Sequence, residues 1–160
     1  MTEECFVSAY KRNSQRLFLI ALSFTKSHTD SEDILQNVFC KLLNYKGVFE
    51  DDVHMDKWLT VVCVNESKNH IKSFFRKNVT SLDEAKELYT FDNVKDFSLF
   101  ETVMSLPKNE RVVVHLFYYE DMAIKDIANI LHISESAVKT RLSRARQHLK
   151  LKLGEDWENE

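Results

Sequence analysis

The sequence predicts an all-α protein made of two small helical domains joined by a flexible linker, and three observations carry that prediction. Only 2 glycines and 1 proline occur in 160 residues, too few for the tight hairpin turns of a sheet protein. Apolar residues recur at three- and four-residue intervals over most of the chain, the spacing of one face of a helix. That periodicity fails from Asn78 to Asp96, where Asp83, Glu84, Glu87, Asp92 and Asp96 outnumber Lys86 and Lys95. The expected division is therefore 1–77, a linker over 78–97, and 98–153.

From Glu4 to Ser27 the stripe Phe6, Tyr10, Leu17, Ile20, Ala21 and Phe24 reads as one amphipathic helix or two in succession. Thr29 with Glu32 has the form of a capping box, opening a helix to about Lys46 that buries Ile34, Leu35, Val38, Phe39, Leu42 and Leu43. Gly47 stands where a left-handed cap is expected. The acidic segment from Gly47 to Asp56 reads as a loop, with Asp56 capping a third helix from Lys57 to about Lys77. Trp58, Leu59, Val62, Cys63 and Ile71 form its apolar side, and Lys68, Lys72, Arg76 and Lys77 a basic edge around Phe74 and Phe75. Aromatics among cations suit stacking of a single nucleic-acid strand; the plainer reading packs Phe74 in the core.

After the linker, "FSLFETVMSL" is a short helix and Pro107 a first helical position. The helix it opens buries Val112, Val113, Leu116 and Phe117. Ile124–Leu131 then forms a short helix with Ile127, Ala128 and Leu131 inward. His132 and Ile133 turn the chain, and Ser134 caps a longer helix. Two helices of these lengths make a helix-turn-helix.

Composition narrows the function. A formal net charge of −3 gives no general attraction to nucleic acid, so any such role must be local. The three cysteines, Cys5, Cys40 and Cys63, sit in apolar helical patterns and are expected as reduced core residues of a cytosolic protein. No secretion leader or membrane span is expected. No metal-ligand spacing, phosphate loop or nucleophile motif points to a metal, a cofactor or catalysis.

The last helix is the informative one. Val138, Leu142, Ala145 and Leu149 share its inner face, so Ser136, Lys139, Thr140, Ser143 and Arg144 point outward, with Arg141 and Arg146 on the flanks. After Glu135 no acidic residue occurs before Glu155, although a merely solvated helix would intersperse glutamates. Small hydroxyls and long cations near the start of such a helix fit a major groove; Arg141 and Arg146 suit phosphate better than base edges.

At this point the residues resemble a known family. "LPKNERVVVHLFYYEDMAIKDIANILHISESAVKTRLSRARQHLK" looks like region 4, the promoter-reading domain of bacterial RNA polymerase sigma factors of the extracytoplasmic-function class. "TDSEDILQNVFCKLL" is similar to the region 2 helix that docks on the polymerase, and "KWLTVVCVNESKNHIKSFFRK" to the promoter-melting helix. Two independent matches in this order, over roughly residues 1 to 153, are far more specific than either alone. His132, where relatives often carry glycine, and Val61 and Val64, where many carry arginine, depart from the pattern.

The resemblance implies a region 2 helical bundle and a region 4 helix-turn-helix, acting with core RNA polymerase and promoter DNA in the cytoplasm. An anti-sigma factor is an expected further partner. It places Asp33, Gln36 and Asn37 at the polymerase contact, and Trp58, Asn65, Lys68, Lys72 and Arg76 at the minus-ten element beside a base-capturing loop over Gly47 to Asp56. Ser136, Lys139, Thr140, Arg141, Arg144 and Arg146 fall at the minus-thirty-five element. The alternatives are a stand-alone helix-turn-helix regulator, which would bind a palindrome without polymerase, and a protein-interaction module.

Overall fold

The computed structural model describes residues 1–77 and 97–154, which contain helices and no strand. The chain divides into two compact units, Met1–Glu87 and Leu88–Glu160. The expected linker lies outside the described residues except for Phe97, which opens a helix.

In the first unit, α1 (Glu3–Thr25), α2 (His28–Leu43) and α3 (Asp52–Lys77) each pack against the other two. Helix α1 is continuous. It is capped by Thr2, whose hydroxyl accepts from the Cys5 N–H at 3.2 Å, and stopped by Lys26 in a left-handed conformation at φ 52°. Leu17, Ile20, Ala21, Ile34, Val38, Leu42, Leu59, Cys63 and Val64 fill the core. Apart from Val64, which was not expected on the apolar side of α3, their periodicity is what made the three helices legible.

Several boundaries differ from expectation. The cap of α2 is Ser27, accepting from the Asp30 N–H at 3.2 Å, and not Thr29. Helix α2 ends at Leu43 with Asn44 as its cap, so Gly47 caps nothing. Helix α3 begins at Asp52, five residues early, because Asp51 takes the capping role by accepting from the His54 N–H at 2.7 Å. Asp56 is thereby freed to bind α1. Its carboxylate accepts from Arg12 at 2.8 to 3.1 Å and from Asn13 at 2.8 Å, while Arg16 donates to Thr60 at 2.7 Å. Of the cysteines only Cys63 is in the core; Cys5 and Cys40 are exposed, since each falls one residue off its helix's buried stripe. Leu43 is exposed as well.

The second unit holds α4 (Phe97–Met104), α5 (Lys108–Val114), α6 (Ile124–Leu131) and α7 (Glu135–Leu153), with α7 packed against the other three. Pro107 precedes α5 as its cap, one position earlier than expected. Helix α5 runs on into a π-helical turn, His115–Tyr119, that periodicity could not reveal. Phe100, Val113, Leu116, Ile127, Val138, Leu142, Ala145 and Leu149 form the core. Phe117 is only half-buried, and Ile130 rather than Leu131 is inward. Arg111 is buried at 5% exposure and donates to the Leu106 carbonyl at 3.1 Å, tying α5 to the α4 exit.

Candidate nucleic-acid interface

Helix α7 is built as the sequence requires. His132 adopts the left-handed conformation, φ 56°, that histidine tolerates better than most residues, and the Ile133 N–H closes the turn on the Ala128 carbonyl at 3.0 Å. Ser134 caps α7 by accepting from the Ala137 N–H at 3.0 Å. With Val138, Leu142, Ala145 and Leu149 buried, Ser136, Lys139, Thr140, Ser143 and Arg144 are all exposed on the opposite side. They are free of the core.

The two flanking arginines behave differently. Arg141 is half-buried and lies near Lys108, whose ammonium is pushed down by burial and then by Arg111 and Arg141. Such crowding of like charge is tolerated where a polyanion can neutralise it. Arg146 is exposed, yet its Nε donates to the Tyr118 hydroxyl at 2.8 Å.

In the first unit, Trp58, Val61, Asn65, Lys68, Lys72 and Arg76 follow one another at three- and four-residue steps, which places them along one face of α3. Asn65, Lys72 and Arg76 are exposed, Trp58 and Lys68 half-buried. The Lys68 ammonium is pushed down by burial and by Lys72, the signature of a cationic strip. Phe74 and Phe75 are both exposed, so Phe74 is not a core residue. Val64 is fully buried and lies off this face, so its departure from the family pattern leaves the surface unchanged; Val61, at 45% exposure, does sit on it.

Sequence reasoning missed the aromatic cluster at the top of this strip. Tyr45 and Phe49 stack at 4.5 Å and 18°, Trp58 meets them at 4.8 and 5.6 Å, and His54 stands edge-on to Phe49 at 5.5 Å. The Glu50 N–H donates to His54 Nδ1 at 3.2 Å and fixes that ring. Gly47 belongs to this cluster: a Cβ there would lie 2.5 Å from the Tyr45 hydroxyl oxygen, so the position needs glycine for close approach of the ring. The only forewarning was the spacing of Tyr45, Phe49 and Trp58 across an apparently irregular loop. Of the acids from Glu50 to Asp56, Asp51 caps α3, Asp52 lies 3.5 Å from Arg12 and Asp56 accepts from Arg12 and Asn13, so all but Glu50 have side chains that serve the fold.

The third set, Asp33, Gln36 and Asn37, is exposed along α2 opposite Ile34, Val38 and Leu42. The same helix also exposes Cys40 and Leu43, an apolar addition to a polar face. Lys41 pairs with Glu66, and His70 with Asp30 at 3.4 Å, so α2 is braced on α3. The α2 and α3 sets share one unit, and the α7 set belongs to the other. Among the described residues, no three metal-ligating side chains converge, and no helix is long and apolar enough to cross a membrane.

Known proteins resemble this chain over both units. A family model described as sigma-70, region 4, matches residues 97–149. The RNA polymerase sigma factor SigV of Bacillus subtilis is 25% identical over 158 residues, covering 95% of this chain and 93% of that protein. SigM of Mycobacterium tuberculosis, an extracytoplasmic-function (ECF) sigma factor, is 24% identical over 93% of this chain and 77% of its own length. The ECF sigma-E factor of Escherichia coli is 26% identical over 74% of this chain and 71% of its own. Among solved structures, the sigma factor RpoE of Bartonella quintana, bound to the anti-sigma factor NepR, shares the fold with a TM-score of 0.70. It is 19% identical, covering 94% of this chain and 97% of that one.

Proposed function

We propose that this chain is an RNA polymerase sigma factor of the extracytoplasmic-function class, a reading that its likeness to several such factors supports, and that its surfaces divide the work of promoter-specific initiation. It binds core RNA polymerase and promoter DNA, and it carries out no chemistry of its own. Residues 1–77 act as region 2 and residues 98–153 as region 4, joined by the segment between. A stand-alone regulator is disfavoured because the likeness to SigV spans 95% of the chain instead of the helix-turn-helix alone.

The observation that carries the reading is the outward face of α7. Ser136, Lys139, Thr140 and Arg144 are exposed together, and no acid follows Glu135 within the helix. That face enters the major groove at the minus-thirty-five element, where hydroxyls sit close to base edges and Lys139 and Arg144 reach guanine acceptors or phosphate. Arg141 and Arg146 reach backbone phosphates at the groove edges.

At the minus-ten element the Tyr45, Phe49 and Trp58 rings receive an extruded base, and Asn65, Lys68, Lys72 and Arg76 follow its strand along α3. Extrusion costs a few kcal/mol, which aromatic contact at about 1 to 3 kcal/mol per base offsets together with the cations. Asp33, Gln36 and Asn37 take the polymerase contact, with Leu43 adding apolar area. The protein works in the cytoplasm, where polymerase is. A sequestering anti-sigma partner fits as well, the fold being shared with a factor bound to one.

Run-off transcription with purified core polymerase on genomic fragments tests the whole reading. Adding the chain should produce a small set of discrete start sites sharing two spaced elements. Transcripts unchanged by its addition would reject it.

A further inference from the structure

Arg146, one of the flanking cations of α7, lies in a built seat. Its Nε donates to the Tyr118 hydroxyl at 2.8 Å, and its central carbon lies 5.8 Å from the Tyr118 ring centroid and 6.0 Å from that of Phe117. The two rings meet edge-on at 4.9 Å and 82°, so the guanidinium faces two aromatic walls. Tyr118 is 50% exposed, so its hydroxyl was not recruited to satisfy a buried donor. Among the described residues no carboxylate pairs with Arg146, and Tyr118 is its one hydrogen-bond partner.

The backbone beneath this seat is irregular in a way that serves it. The π-helical turn closes with the Glu120 N–H on the His115 carbonyl at 3.2 Å, and is followed by Asp121 at φ 52° and the Met122 N–H on the Leu116 carbonyl at 3.1 Å. A π turn adds a residue to the helical count and rotates the side chains beyond it; such turns gather at functional sites. Here Leu116 stays fully buried while Phe117 and Tyr118 come round to α7. On α7, Arg146 follows Lys139 by seven residues, about two turns along the same edge of the outward face.

A guanidinium held this way differs from a free one. With Nε–H engaged and the plane fixed, Nη1 and Nη2 remain, the end-on pair that can take two oxygens of one phosphate. We propose that Tyr118, walled by Phe117, is a positioning residue for promoter binding: it holds Arg146 so that its terminal nitrogens meet a DNA backbone phosphate at the edge of the groove read by α7. This rests on α7 being the duplex-facing helix, and the test separates the two claims.

Holoenzyme is reconstituted from core polymerase and the full chain as wild type, Tyr118→Phe, Arg146→Ala, the double variant and Lys139→Ala. Each is titrated on a promoter recovered by run-off sequencing, over a series of potassium chloride concentrations. Arg146→Ala should lower the slope of log Kd against log salt by about 0.9, one phosphate's worth. Tyr118→Phe should leave the slope intact and raise Kd about fivefold, the cost of leaving one long side chain to be ordered on binding. In the Arg146→Ala background it should do nothing further.

A general loosening of the second unit would instead make Tyr118→Phe weaken binding equally in both backgrounds and lower the unfolding temperature, which overturns the proposal. So does an unchanged Kd for Tyr118→Phe in the wild-type background. If Lys139→Ala weakens binding but Arg146→Ala changes neither Kd nor slope, the positioning claim fails and the reading of α7 stands. If neither variant matters, both fail.

Discussion

His115 makes the second unit sensitive to acid, and the size of the effect follows from its burial. The ring is 2% exposed, stacked on Tyr119 at 5.0 Å and 13°, and its Nε2 is buried without a hydrogen-bond partner among the described residues. Burial pushes its pKa down from 6.5 to about 4. The native state therefore holds a neutral imidazole while the unfolded chain binds a proton below about pH 6.5. A group with a lowered native pKa leaves stability intact above the unfolded value. Stability then falls with pH until the native pKa is reached, and is flat below it. At about 1.36 kcal/mol per pH unit, the interval between 6.5 and about 4 amounts to about 3 kcal/mol, a large part of the stability of a small domain.

His115→Phe keeps a ring against Tyr119 and removes both the proton site and the orphaned nitrogen, so it should gain about 1 kcal/mol at neutral pH and lose this part of the acid sensitivity. Residue-resolved hydrogen exchange of α5 and α7 amides from neutral to mildly acidic pH, with the His115 ring followed by NMR, measures both. A His115 ring that titrates near 6.5 in the folded protein, or wild type and His115→Phe losing stability in parallel, would refute the reasoning.

Three further outcomes are expected. Asp56→Ala removes the carboxylate shared by Arg12 and the buried Asn13, leaving Arg12 only Asp52 and Ser8 and the Asn13 amide only the Ala9 carbonyl, and should cost the first unit about 2 kcal/mol, read as a fall of about 10 °C in unfolding temperature. Burial alone would raise the Asp56 carboxyl, but hydrogen bonds from Arg12 and Asn13 hold it below the usual range, so its contribution should persist at neutral pH and fade as pH drops below about 4. Gly47→Ala drives a methyl into the Tyr45 ring and should impair promoter opening, measured by permanganate reactivity of unpaired thymines, with core binding retained. Alanine at both Lys139 and Arg144 should weaken promoter complexes by about 1 to 3 kcal/mol for each base no longer read, while leaving affinity for core polymerase unchanged, as seen by gel-shift and co-purification.

What could be read from the residues was what periodicity controls. The inner stripe Val138, Leu142, Ala145 and Leu149 fixed the outward set on α7, and Ser134 fixed where that helix begins, because cap and stripe are both local properties of the chain. Boundaries failed where several residues competed for one role: Ser27 against Thr29, and Asp51 against Asp56. In the second case the loser had a long-range partner, Arg12, that no local rule contains. The Tyr45 and Phe49 rings were missed for the same reason, since their packing on Trp58 is a tertiary interaction and the loop between them has no period. The turn at His115–Tyr119 was hidden because a π-helical residue is locally indistinguishable from an α-helical one.

The division of labour between the two units is tested most directly by mapping transcription start sites with core polymerase alone, with the wild-type chain, and with the chain carrying alanine at Lys139 and Arg144. The wild type should add start sites preceded by a common pair of elements, and the variant should lose dependence on the upstream element while still binding core. Start sites identical with and without the wild-type chain would contradict the account.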